Sequence, residues 1–311
     1  MIYPKRGIVV KVKGGLGNQL FQYAAALGVA SRNGLPLYVD SFTGFPNDPL
    51  YRKYRLDLYP TFVNALTEEQ ALQVDQSSRL ERKLRGYRER FRQRYLKSTF
   101  DPAIRNLEVK KRVALEGFWI SPLYFDDIAD KVRERLRTPL RLSPFATAFA
   151  EKLRTTNSVG LHRRYFGLER ANANKKAGWN PPPAYTLGDD YYRKAISHLR
   201  AKLGSDLTVY IFSDAPDRAA NGLPSDVQIE VVNNPERHDY EDLYLLSCCK
   251  SHIIANSTFS WWGAWLGQHP DQIVCAPHFF GNLEPEKYLR DVYPPQWTVL
   301  AATPEETQPK R

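Results

Sequence analysis

Between Ile8 and Asp40 the hydrophobic pattern passes from a short apolar run to a helical stripe and back, an order that few folds accommodate. Ile8-Val9-Val10-Lys11-Val12 reads as a strand and Gly14-Gly15-Leu16-Gly17 as a turn. Asn18 can cap a helix running to about Arg32, with Leu20, Phe21, Ala24, Leu27 and Gly28 on its apolar face. Gly34 ends that helix, and Leu35–Asp40 is the next strand. Strand, helix, strand predicts a βαβ unit and therefore a parallel sheet. Ser158-Val159-Gly160-Leu161-His162 restarts the same order. Helices follow over Tyr191–Leu203 and Asp239–Cys249, and strands over Leu207–Phe212, Val227–Val232, Ser251–Ala255 and Ile273–Ala276. The expectation is an α/β protein with two Rossmann-type domains, residues 1–145 and 146–300, and a flexible polar tail at 301–311. Pro139 and Pro144 break the pattern near the boundary.

Charge is distributed unevenly. The chain carries a formal net charge of +10. Arg79–Lys97 holds nine basic residues against Glu81 and Glu89, a net +7. Leu80, Leu84, Tyr87, Phe91 and Tyr95 recur there at helical spacing, so the segment predicts an amphipathic helix with a charged outer face. That face is either solvated or docked on an anionic membrane. A nucleic-acid reader would also be basic, but no nucleic-acid motif accompanies the charge, and no nucleic-acid partner is expected. Cys248, Cys249 and Cys275 are too few and too clustered for a disulfide framework. No apolar run approaches the roughly 18 residues that span a bilayer, and Lys11 and Lys13 interrupt any signal-peptide core. A cytoplasmic protein is expected, peripheral at the inner face of the membrane if residues 79–97 dock there.

Four groups of polar residues fall at the carboxyl ends of predicted parallel strands, the edge at which open α/β sheets bind ligands. Gly14–Gln19 combines glycines with a helix start, which suits an anion or simply a tight turn. His162-Arg163-Arg164 places two guanidinium groups at the exit of a buried strand, where they either meet phosphate oxygens or form ion pairs with Glu169 or Asp189. Ser213-Asp214 can accept hydrogen bonds from a purine or ribose, or cap the following turn. Asn256-Ser257-Thr258-Phe259-Ser260 offers hydroxyls and backbone N–H groups at a strand-to-helix junction, ahead of Trp261, Trp262 and Trp265.

Taken in order, these segments resemble glycosyltransferase family 11, the α-1,2-fucosyltransferases. Gly14-Gly15-Leu16-Gly17-Asn18-Gln19-Leu20-Phe21-Gln22-Tyr23-Ala24 is similar to the family's N-terminal signature. Tyr54-Arg55-Leu56-Asp57, Glu116-Gly117-Phe118-Trp119 with Tyr124-Phe125, Ser213-Asp214 and Asn256–Trp262 resemble its later segments, across about residues 8–280. One departure stands out: the family's H-x-R-R-G-D segment reads here Leu161-His162-Arg163-Arg164-Tyr165-Phe166, with no aspartate following.

The resemblance implies a GT-B-like fold with two domains facing a cleft, the acceptor on the N-terminal side and the donor on the C-terminal side. It implies GDP-fucose as donor substrate, a galactose-terminated glycan as acceptor, inversion at the anomeric carbon, and neither metal nor other cofactor. Donor contacts would come from Gly15, Gly17, Asn18, Arg163, Arg164, Ser213, Asp214 and Asn256, Ser257, Thr258, Phe259 and Ser260. Arg163 or Arg164 would neutralise the departing diphosphate and Asn18 would orient the reacting groups. Asp40, His162 and Glu169 are candidates for the acceptor base. A transferase of another nucleotide sugar is the alternative.

Overall fold

The computed structural model of the protein describes residues 5–46, 48, 50–61, 64–84 (backbone alone over 77–84), 100–165, 186–235, 238–267, 269–280 and 291–303. It divides into two compact units, residues 1–138 with 290–292, and 139–289 with 293–311.

The first unit has a four-stranded parallel sheet of β1 (Gly7–Lys11), β2 (Leu37–Asp40), β3 (Asn64–Ala65) and β4 (Arg112–Leu115), in the order β3-β2-β1-β4. Helix α1 (Leu16–Asn33) follows β1, and Gly34 closes it in the left-handed conformation, φ 59°. Gly15, not Asn18, is the N-cap, and no side chain caps the helix; Asn18 lies within the first turn. Much of the N-terminal signature is packing hardware. Gln19 is fully buried, donates to the carbonyls of Gly14 (2.9 Å) and Lys53 (2.8 Å), and accepts from the Arg55 N–H (3.0 Å). Gln22 accepts from the Lys13 N–H at 2.9 Å. A side chain at Gly28 would place its Cβ 2.4 Å from the Tyr124 carbonyl, so only glycine lets α1 approach that segment.

Helix α2 (Glu68–Leu84) starts eleven residues before the basic segment and includes its first six residues. Residues 85–97, and with them most of the expected membrane-facing stretch, lie outside the described residues. The described residues of the unit also form short α3 (Pro102–Arg105) and α4 (Ala129–Leu136).

Among its described residues the second unit has six parallel strands: β5 (Ser158–Arg163), β6 (Thr208–Ser213), β7 (Gln228–Val231), β8 (Ser251–Ile253), β9 (Val274–Pro277) and β10 (Thr298–Leu300). Their order is β10-β9-β8-β5-β6-β7. The chain moves outward from β5 to β7, then returns to the other flank of β5 and moves outward again. β5 is buried along its whole length, as expected of a central parallel strand covered on both faces. Helices α5 (Pro144–Thr155), α6 (Asp189–Leu203), α7 (Asp239–Cys248) and α8 (Thr258–Leu266) pack around the sheet. The α/β class with two Rossmann-type units is therefore the observed one.

Three local expectations need correction. Pro144 does not break the chain but opens α5 at its first position, where the missing N–H is no loss. The Ser143 hydroxyl accepts from the Ala146 N–H, and the Ser143 N–H and hydroxyl both donate to buried Glu241. The second unit begins at residue 139, so residues 139–145 belong to it and not to the first. The tail is not loose at its start: Ala302 is buried and donates to His278 Nδ1 at 2.9 Å, while Thr303 accepts from the Gly188 N–H and donates to Asp190. Residues 304–311 are outside the described set.

Candidate active site

In the second unit the strand order reverses between β5 and β8, and the crevice outside such a reversal is where doubly wound sheets bind ligands. Two groups meet there. Arg164, the residue after β5, donates from Nη1 to the Ser257 hydroxyl at 2.9 Å. Ser257 caps α8, accepting from the Phe259 N–H. The first-turn N–H groups of α8 carry the positive end of its dipole. A guanidinium and a helix N-terminus thus share one hydroxyl at the carboxyl edge, an arrangement suited to a diphosphate.

The arginine pair is split. Arg163 is the last residue in register on β5, opposite Ser213, and is 3% exposed. Its Nη1 donates to the carbonyls of Ala219 (3.1 Å) and Asn221 (2.6 Å), and its Nη2 pairs with Asp189 at the start of α6. The rings of Tyr165 and Tyr192 lie over the guanidinium, each 5.2 Å away. The ion pair with Asp189, one of the two alternatives open from sequence, holds for Arg163. That guanidinium is committed to tying β5, α6 and the 216–222 turn together. Gly222 belongs to the same knot: its φ is +72°, and an added Cβ would sit 1.9 Å from Asp189 Oδ2.

The Asp214 carboxylate accepts from the Tyr165 N–H at 2.8 Å, which fixes the backbone just beyond Arg164. The Ser213 hydroxyl accepts from the Ala215 N–H, the turn-capping role. Ser260 is fully buried; its hydroxyl accepts from the Ala255 N–H and donates toward the carbonyls of Ala255 and Ser257, so it braces the α8 start from inside. Asn256 is buried beside it, and Thr258 opens the helix. Phe259 packs against His162 with ring centroids 5.2 Å apart and the ring planes tilted by 35°. Burial, and then the Arg164 charge, hold the His162 imidazole down at about 3, so it is neutral and a weak base.

Sequence reading missed a carboxylate pair in the first turn of α7. Glu241 is fully buried and satisfied by Ser143 and by Asn234 (3.0 Å). Its neighbour Asp242 is pushed up to about 6, chiefly by burial, with the Asn234 hydrogen bond opposing. The acidic run Asp239-Tyr240-Glu241-Asp242 at a helix start was the available signal.

The remaining candidates lie in the first unit. Gly14 takes φ +78°, with Asn18 Nδ2 2.9 Å from where its Cβ would be. Gly15 and Gly17 flank the helix start. Asp40 is buried and accepts from the N–H groups of Phe42 (3.0 Å) and Thr43 (2.9 Å) and from the Thr43 hydroxyl, so its carboxylate is occupied in shaping the loop after β2. Glu169 and Phe166 lie outside the described residues. Asn18, Gly15, Gly17 and Asp40 share a unit, and Arg163, Arg164, His162, Ser213, Asp214 and residues 256–260 share the other.

The family model for glycosyl transferase family 11 matches residues 89–301. Two proteins of Escherichia coli are similar along nearly the whole chain. One is an alpha-1,2-colitosyltransferase, 31% identical over 91% of this chain and 98% of its own. The other is the O-antigen biosynthesis glycosyltransferase WbnK, 29% identical over 87% of this chain and 94% of its own. Among solved structures, fucosyltransferase NodZ from Bradyrhizobium is similar with a TM-score of 0.48 and 16% identity, over 83% of this chain and 93% of its own. The match over residues 89–301, which takes in all six strands of the second sheet, makes the chain a glycosyltransferase that belongs to glycosyl transferase family 11.

Proposed function

We propose that the chain is an inverting α-1,2-fucosyltransferase that moves L-fucose from GDP-fucose to the 2-hydroxyl of a galactose on a bacterial glycan of the O-antigen type. The observation that carries this reading is the Arg164–Ser257 contact at the N-terminus of α8. In the reaction the acceptor oxygen bonds to the anomeric carbon as the bond from that carbon to the GDP oxygen breaks, and the acceptor proton leaves to a base. Negative charge gathers on the departing diphosphate. Arg164 and the α8 dipole would stabilise it where it forms. They supply the positive charge that a divalent cation gives other nucleotide-sugar enzymes, so full activity is expected in excess chelator. Asp40 is engaged by its own loop and His162 is a weak base, so leaving-group stabilisation would carry most of the rate.

A second reading has a specific observation behind it: the 31% identical relative is named a colitosyltransferase. Colitose differs from L-fucose by lacking the 3-hydroxyl, and a pocket for one would differ by a single hydrogen-bonding group. The test is transfer to galactose-terminated acceptors with GDP-fucose and GDP-colitose in parallel. Fucose transfer with the higher kcat/KM supports the first reading, and preference for GDP-colitose replaces it with the second. Residues 79–97 would hold the enzyme near a lipid-linked acceptor, which co-sedimentation with acidic but not neutral liposomes would report.

A further inference from the structure

Five large hydrophobic side chains are exposed among the described residues: Phe42, Tyr51, Leu72, Leu140 and Val299. The two aromatic ones both sit on the loop that leaves the carboxyl end of β2. Tyr51 is 88% exposed and holds φ +53°, a conformation that costs a non-glycine residue energy unless its surroundings impose it. The imposition is visible. Asp48 Oδ1 accepts from the N–H groups of Leu50 (2.9 Å) and Arg52 (3.3 Å), and the Asp48 carbonyl accepts from the Tyr51 N–H (3.0 Å). Arg52 pairs with Asp48 at 3.7 Å and lies against Gly14 and Gly15, where a Cβ would come within 3.6–3.8 Å of it. At the other end of the loop, Asp40 holds Phe42 and Thr43 through their N–H groups, and Gly44 presses on β1's exit so closely that a Cβ would be 1.9 Å from the Val12 carbonyl. The turn is therefore built to hold a tyrosine ring out in water.

We infer that Tyr51, with Phe42 as a lesser partner, forms a carbohydrate-stacking subsite for the acceptor glycan, engaging sugars beyond the one that receives the transferred residue. A pyranose presents a face of C–H groups between its hydroxyls, and an aromatic ring carried on a fixed backbone matches that face while leaving the hydroxyls in water. An apolar protein partner would call for a contiguous apolar patch, whereas the Tyr51 ring stands beside the polar Asp48 and Arg52. The position fits as well, since it is the carboxyl edge of a parallel sheet, and the donor constellation described above belongs to the other unit. This inference rests on the reading of the chain as a glycan-modifying transferase with its acceptor on the first unit.

The test compares steady-state transfer to a methyl β-galactoside and to a galactose-terminated tetrasaccharide by the wild type, Tyr51→Ala, Tyr51→Phe and Phe42→Ala. Tyr51→Ala is expected to raise KM for the tetrasaccharide about tenfold, with kcat, donor KM and the galactoside KM within about twofold of wild type. Tyr51→Phe should retain the wild-type value, and Phe42→Ala should raise the tetrasaccharide KM by only about threefold. A tetrasaccharide KM unchanged in Tyr51→Ala, or a parallel rise in donor KM, overturns the proposal. Binding of the wild type and Tyr51→Ala to an immobilised glycan panel in the presence of GDP reads the subsite without transfer. Retention by the wild type that Tyr51→Ala loses supports the subsite even if no galactoside is an acceptor, and equal retention overturns it.

Discussion

The carboxyl edges of the two sheets are built from different chemistry. In the second unit the edge gathers positive potential: Arg164, the N-terminus of α8, and a capping hydroxyl they share. In the first, charges are neutralised in pairs, Lys11 with Asp75 (3.0 Å) and Lys13 with Glu116 (2.9 Å), and the groups left facing water include aromatic rings. One edge suits a phosphorylated ligand and the other a neutral polyol. The same parallel-sheet architecture serves both because the ligand chemistry resides in the residues after each strand, not in the strands.

The sharpest way to break this contrast is to separate Arg163 from Arg164. Arg164→Ala should lower kcat a hundredfold or more and leave the melting temperature nearly unchanged, as about 3 kcal/mol of leaving-group stabilisation is removed from a partly exposed position. Arg163→Met should act on folding. It strands the Asp189 carboxylate and two carbonyls, and a loss of about 3 kcal/mol in urea unfolding is expected. If Arg163→Met unfolds normally and instead abolishes GDP binding, the division of labour between the two residues is wrong. Gly222→Ala tests the same knot from its far side. The added methyl meets Asp189 in a left-handed backbone, so about 2 kcal/mol should be lost.

That division explains what could and could not be read from sequence. Periodicity located nearly every strand of the second unit, since buried parallel strands are short apolar runs with polar exits. It could not tell which of two consecutive arginines turns inward, because the partners of Arg163 lie 26 to 58 residues away on α6 and the 216–222 turn. Pro144 misled for a local reason: the same residue stops one helix and starts another, and the deciding signal was Ser143 before it. β3, at two residues, is too short to show a period. In the first unit the signature glycines and glutamines were legible as a motif, but their roles in bolting α1 to Lys53, Arg55 and Tyr124 required the contacts.

A smaller effect is expected at Ser257. Ser257→Ala removes the α8 cap, worth about 1 kcal/mol of stability, and the acceptor that aims Arg164. Donor KM or kcat should worsen about tenfold, less than for Arg164→Ala, because the guanidinium itself remains. A loss equal to that of Arg164→Ala would make Ser257 a direct contact to the departing group rather than a positioning residue.

The smallest effect sharpens the contrast between the units most cleanly, because all six histidines lie in the second. His162 is held down at about 3 and His252 at about 4, both by burial. His252 is further locked between the Leu246 carbonyl (2.8 Å) and Gln272 (2.9 Å). The unfolded chain binds protons at these histidines below about pH 6.5 while the folded chain refuses them, so stability present at pH 7.5 is lost as pH falls toward 4. At pH 6 each histidine removes about 1 kcal/mol. Asp242 acts with the opposite sign: its carboxyl, raised to about 6, binds a proton in the folded state first and returns about half as much at that pH. Amide exchange measured between pH 7.5 and 6, corrected for intrinsic rates, should therefore show the second unit loosening and the first holding. Asp242→Asn should steepen the loss, since the opposing titration is gone, while raising stability at pH 7.5 by removing a carboxylate that burial disfavours. Equal acid sensitivity in both units would mean that the buried histidines do not govern the second unit's stability.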